Sequence, residues 1–135
     1  ISAQGYVDHP AGIDWLSATS SFRNGNTANI TGGWHPSSSY PFSMEFNAIT
    51  DQGTLDWSST GRPLTSFRKD SEPQIIALPP DPDPWRDQLQ YFADCARANT
   101  PPALCPPSES ADAVRFVEIM VESRNRKGES LPWTN

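Results

Sequence analysis

Residues 14–57 constrain the fold more than any other part of the chain, because their side chains alternate with a period of two. Leu16, Ala18, Ser20 and Phe22 interleave with Trp15, Ser17, Thr19 and Ser21. Arg23-Asn24-Gly25-Asn26 follows, with residues that tolerate the positive φ of a hairpin turn. Ala28, Ile30, Gly32 and Trp34 line one face of a return strand, and Phe42, Met44, Phe46 and Ala48 repeat the pattern. Asp51-Gln52-Gly53 turns the chain again into Leu55 and Trp57. A period of two over four successive segments predicts antiparallel strands, and a sheet with one apolar face needs a cover.

The remaining segments complete an α+β layout. Strands are expected at about 1–7, 14–22, 27–34, 42–50, 54–58, 64–68 and 74–78, with a loop at 8–12. Pro79-Pro80-Asp81-Pro82-Asp83-Pro84 reads as a stiff connector ending in a helix start, since Asp83 can cap and Pro84 suits the first helical position. Trp85, Leu89, Phe92 and Ala96 then fall on one helical stripe. A second helix is expected from Ser108 or Ser110, with a stripe of Ala113, Val117, Met120 and Val121 and a stop at Gly128. The expected architecture is one largely antiparallel, open-faced sheet of about six strands, covered on one face by two C-terminal helices. Phe42, Met44, Phe46, Leu55, Trp57 and Ile30 would pack on those helices, leaving a polar face of Thr27, Asn29, Thr31, Ser43, Asn47 and Thr54.

Composition narrows the function classes. With 135 residues, one domain is expected, and five Trp and six Phe argue against disorder. A net charge of −6 with ten basic residues does not suit nucleic acid. The tight cluster Arg124, Arg126 and Lys127 sits where a helix C-terminus favours cations. No apolar run approaches the ~20 residues of a membrane span. Cys95 and Cys105, without a dense cysteine framework, suggest a reducing, cytoplasmic setting and free thiols, although the connector could fold back to join them. Neither thiol has a histidine nearby, so no metal site is expected.

The order of the motifs resembles the C-terminal domain of the Gfo/Idh/MocA oxidoreductases, the family of glucose–fructose oxidoreductase and inositol dehydrogenase. The matching residues are Phe22-Arg23-Asn24-Gly25-Asn26-Thr27-Ala28-Asn29-Ile30, Met44-Glu45-Phe46 and Asp51-Gln52-Gly53-Thr54-Leu55-Asp56-Trp57. Ala111-Asp112-Ala113-Val114-Arg115 and Lys127-Gly128-Glu129-Ser130-Leu131 complete them. The resemblance implies a two-domain dehydrogenase whose N-terminal Rossmann domain holds NAD or NADP. It also implies that the open sheet face serves self-association. The family's Gly-rich turn, its Lys-Pro motif and its His-x-x-Asp pair have no counterpart here; Lys69, Lys127, His9 and His35 stand in other contexts. The chain is therefore expected to be a substrate and oligomerisation domain, inactive by itself, with no catalytic or cofactor-binding residues of its own.

The segment Trp34-His35-Pro36-Ser37-Ser38-Ser39-Tyr40-Pro41 mixes aromatic and polar groups, a combination suited to sugars and polyols. Trp34, His35 and Tyr40 are the candidate substrate-binding residues, against the alternative of an ordinary surface loop. Two other functions compete with the dehydrogenase reading. One is a stand-alone carbohydrate-binding module using Trp15, Trp34, Trp57, Trp85 and Trp133, although Trp57 and Trp85 fall on expected core stripes. The other is a structural dimerisation module.

Overall fold

Local turn chemistry sets the strands where the alternation places them. The structure, a computed structural model, describes residues 1–6, 14–34, 39–79 and 83–133. The expected loop at 8–12, His35 and the centre of the proline connector lie outside the described residues. The chain divides into two compact units, Ile1–Ser38 with Asn99–Asn135, and Ser39–Ala98.

In the first unit, β1 (Ser2–Tyr6), β2 (Trp15–Ser21) and β3 (Thr27–Gly33) form an antiparallel sheet in that order. The β2–β3 hairpin closes through two bonds: Phe22 N–H to the Asn26 carbonyl at 2.8 Å, and Gly25 N–H to the Phe22 carbonyl at 3.0 Å. Gly25 takes φ +87°, the conformation that a three-residue hairpin loop requires at its third position. The register sets Ala3, Ala18 and Ile30 side by side. On that face Ala3 and Ala18 pack with Met120 of α2 (Pro107–Asn125), and Ile1, Leu16 and Phe116 surround them. Small residues on the strands let the helix approach, and the larger Met120 and Phe116 fill the gap. On the opposite face Thr19 donates to Asn29 at 2.9 Å and Thr31 to Ser17 at 3.3 Å, beside the stacked Tyr6 and Trp15 rings.

The outer edge of β1 is paired by chain more than a hundred residues away. Ile1 and Leu131 exchange two backbone bonds, each 2.9 Å. The Ala3 N–H donates to Ser123 Oγ, the Ser2 hydroxyl to the Gly128 carbonyl, and Arg124 Nε to the Gly5 carbonyl. These bonds satisfy an edge that would otherwise offer a template for another strand. The helix delivers this segment through a six-to-one turn: Gly128 N–H reaches the Ser123 carbonyl and Lys127 N–H the Arg124 carbonyl. Gly128 ends the helix region as expected, and Lys127 also carries a positive φ of 60°.

In the second unit, β4 (Glu45–Thr50), β5 (Gly53–Ser58), β6 (Thr65–Phe67) and β7 (Gln74–Ile75) form an antiparallel sheet in sequence order. α1 (Pro84–Ala98) follows. Its start is as the sequence indicated: the Arg86 N–H donates to the Asp83 carboxylate at 3.0 Å.

The α+β class and the antiparallel pairing match the expectation. Among the described residues the strands number seven in two sheets, where one sheet of about six was expected, and Ile30 does not share a sheet with Phe46 or Trp57. Turn residues fix which neighbours form a hairpin; pairing across a long link is decided by tertiary contacts that no local pattern carries. The helical cover also differs. α2 starts at Pro107, and its inward stripe is Phe116, Met120 and Ser123, which shares only Met120 with the expected set. α1 buries none of its residues, so Trp85, Leu89, Phe92 and Ala96 are not core. Periodicity shows which helix face is apolar but not what lies against it.

Candidate functional site

The three residues singled out from sequence are placed as follows. Trp34 closes β3 in the first unit; its backbone N–H donates to the Asp14 carbonyl and its side chain is 76% exposed. Its indole is therefore held at the base and open at the ring. Tyr40 belongs to the second unit and is about half exposed. His35 lies outside the described residues. Trp34 and Tyr40 each present an accessible aromatic ring.

In the second unit one sheet face is apolar and, among the described residues, only partly covered. Register puts Phe46 opposite Trp57 and Ala48 opposite Leu55, so these four share a face, continued by Ser66 and Gln74. The Phe46 and Trp57 rings lie 6.0 Å apart and tilted, a favourable cross-strand aromatic pair. Phe46 remains 47% exposed and Leu55 38%. Beside β4, Phe42 and Met44 are also exposed, and they too were expected to pack on helices. Across the described residues, many large apolar side chains stay accessible.

The reverse face is fixed by charge. Arg62 binds Asp56 and Glu45, each at 2.9 Å, clamping β4 to β5 from behind. Hydrogen bonding to Asp56 first, and then to Glu45, pushes the Arg62 guanidinium further up from its already high range. The bridge spans the two strands that carry Phe46 and Trp57. The sequence shows these aromatic positions, while the exposure of their face follows from the structure.

The starts of α1 and α2 are capped differently. Pyrophosphate binding uses free N–H groups at a helix N-terminus behind a Gly-rich turn. At α1 the Asp83 carboxylate already occupies that end. At α2 the first positions are Pro106 and Pro107, which lack N–H donors. Among the described residues, no group of His, Cys, Asp or Glu is arranged to hold a metal ion, and no helix is long and apolar enough to cross a membrane. Cys95 and Cys105 are free thiols. No protein-family model matches the chain, and neither a curated protein nor a solved structure matches it significantly.

Proposed function

We propose that residues 1–135 serve as the substrate-binding and assembly domain of a cytoplasmic, NAD- or NADP-dependent oxidoreductase of the Gfo/Idh/MocA type, acting on a sugar, a polyol or a related hydroxy compound. The observation that carries this reading is the partly covered apolar face built on Phe46, Leu55 and Trp57. Fully burying a large apolar side chain contributes about 1.5–3 kcal/mol, so a face with several of them favours a partner. On this reading the partner is a second copy of the same sheet face. On this reading the nucleotide is held by a separate Rossmann domain, because the sequence carries no Gly-rich turn of the dinucleotide-binding kind. The chain's own share of the chemistry is to shape the substrate's surroundings, with the exposed Trp34 and Tyr40 rings offering stacking surfaces.

Two measurements test it. Sedimentation equilibrium of the chain should show self-association that Phe46→Asp abolishes, while Ile49→Lys on the reverse face leaves it unchanged. Unaltered far-UV circular dichroism should accompany both. A strict monomer at high concentration would overturn the assembly role. Titration with an inositol, a hexose and a hexitol should shift tryptophan emission, and Trp34→Ala should remove the response. Nicotinamide reduction by the chain alone, or no response to any of the three compounds, would overturn the substrate role.

A further inference from the structure

The first sheet has one closed edge and one open edge. β1 is sealed by Ser123, Arg124 and the 128–131 segment. β3 is the other edge. Its seven residues, Thr27 to Gly33, include no charged side chain and no proline, the devices that guard such an edge against a further strand. All of them except Ala28 are exposed. The β4 edge of the second sheet differs, since it carries Glu45 in the Arg62 bridge.

Alternation of the ladder fixes which backbone groups of β3 are open. Phe22 N–H donates to the Asn26 carbonyl and Trp34 N–H to the Asp14 carbonyl, so Ala28, Ile30 and Gly32 are the positions that bond β2. Thr27, Asn29, Thr31 and Gly33 turn their N–H and C=O groups outward, with no backbone partner among the described residues. These positions are symmetric about Ile30. An antiparallel copy of the same strand, with a two-fold axis at Ile30, therefore engages every outward group. Asn29 then lies opposite the partner's Thr31, and Thr27 opposite the partner's Gly33. The same register matches the side chains. Asn29 meets a threonine, as it already does at Thr19. On the α2 side Ile30, 39% exposed, meets its own copy, and Ala28 meets the partner's Gly32. The ground over Gly32 is open: a Cβ there would touch nothing within 4 Å.

We propose that β3 pairs edge to edge with β3 of a second copy of this chain, antiparallel about Ile30. A single strand pair is smaller than the ~1,200 Å2 of a standard interface, so it does not hold two chains by itself. It joins dimers already paired through the Phe46–Trp57 face, and to that extent it rests on that pairing. Each such dimer carries two β3 edges, so the second contact adds to the first.

Sedimentation velocity of the whole chain should show species larger than a dimer. Asn29→Lys with Thr31→Lys sets like charges opposite each other and should stop assembly at the dimer, with unaltered far-UV circular dichroism. The two lysines make the chain less negative, so a loss of association would be local. Disulfide trapping reads the register. In chains carrying Cys95→Ser and Cys105→Ser, Ile30→Cys should cross-link to its own copy about tenfold faster than Thr27→Cys. Opposed Cα atoms at a non-hydrogen-bonded pair lie ~4.5 Å apart, within disulfide reach, whereas the two Thr27 positions are about 20 Å apart along the strands. Equal cross-linking rates would overturn the proposal. A dimer broken by Phe46→Asp and untouched by the lysine pair would overturn the edge contact alone. An association broken by the lysine pair and untouched by Phe46→Asp would support the edge contact and overturn the face pairing.

Discussion

Replacing Ser123 by Ala should destabilise the first unit by about 2–3 kcal/mol, although it removes a single oxygen. Ser123 is fully buried. Its hydroxyl accepts from the Ala3 N–H at 2.8 Å and donates to the Glu129 carbonyl at 2.6 Å. Without that oxygen the Ala3 N–H, on a residue 1% exposed, is buried unpaired at about 1–3 kcal/mol. The lost bond to Glu129 adds roughly 1 kcal/mol, and the better helix propensity of Ala returns about 0.5 kcal/mol. The same chemical change at Ser20 should be neutral or stabilising, because that hydroxyl is buried and unpaired already. Thermal unfolding by circular dichroism separates the two. At a few degrees per kcal/mol for a chain of this size, Ser123→Ala should lower Tm by roughly 6–12 °C, and Ser20→Ala should hold or raise it. Hydrogen exchange at the Ala3 amide should accelerate only in Ser123→Ala. A fall in Tm that is equal in the two variants would refute the reasoning, since hydroxyl loss alone, and not bonding, would then set the cost.

Three further substitutions probe the backbone. Lys127→Gly should raise stability by about 0.5–1 kcal/mol in denaturant unfolding, because Lys127 sits at φ +60° where Gly carries no Cβ penalty. Gly53→Ala should cost several kcal/mol or prevent folding of the second unit: φ is +142° and a Cβ there would lie 2.2 Å from the Phe67 carbonyl oxygen. Loss of the β5–β6 amide protection would report it. Asp83→Ala should remove about 1 kcal/mol of α1 stability and fray its first turn, read as faster exchange at the Arg86 amide.

Most local structure was legible because its causes are local. Asn24 and Gly25 specify the β2–β3 loop, the Asp83–Pro84 pair specifies the start of α1, and alternation specifies strands β2 to β5. What the sequence did not reveal depends on distant contacts. The partition into two sheets is settled by which edges find partners, and β1 finds Ser123, Arg124 and the 128–131 segment. Trp85, Leu89 and Phe92 show a clear apolar stripe, but a stripe is equally consistent with a core and with an uncovered face. Of the candidate site, Trp34 and Tyr40 could be chosen by residue type. The unpartnered hydroxyl of Ser20 could not be foreseen, because Ser20 reads as an ordinary strand residue until its surroundings are seen.

The proposed face-to-face pairing of the second sheet has to be distinguished from edge-to-edge association. Edge-to-edge association needs a long, flat, unpaired strand; β1 is blocked by helix and tail and β7 has only two residues, whereas β3 and β4 are the other edges of their sheets. Face-to-face association needs apolar side chains at fixed positions, and β4 and β5 supply them through Phe46, Leu55 and Trp57. Glu45 and Asp56, tied by Arg62, put charge on the reverse of the same strands, beside the exposed Ile49. A net charge of −6 adds long-range repulsion that a small, well-matched contact can overcome and a loose one cannot. Self-association through this face should therefore strengthen with added salt, which screens the repulsion without weakening apolar contacts. An association that weakened with salt would place the contact on charged groups instead, away from the Phe46–Trp57 face.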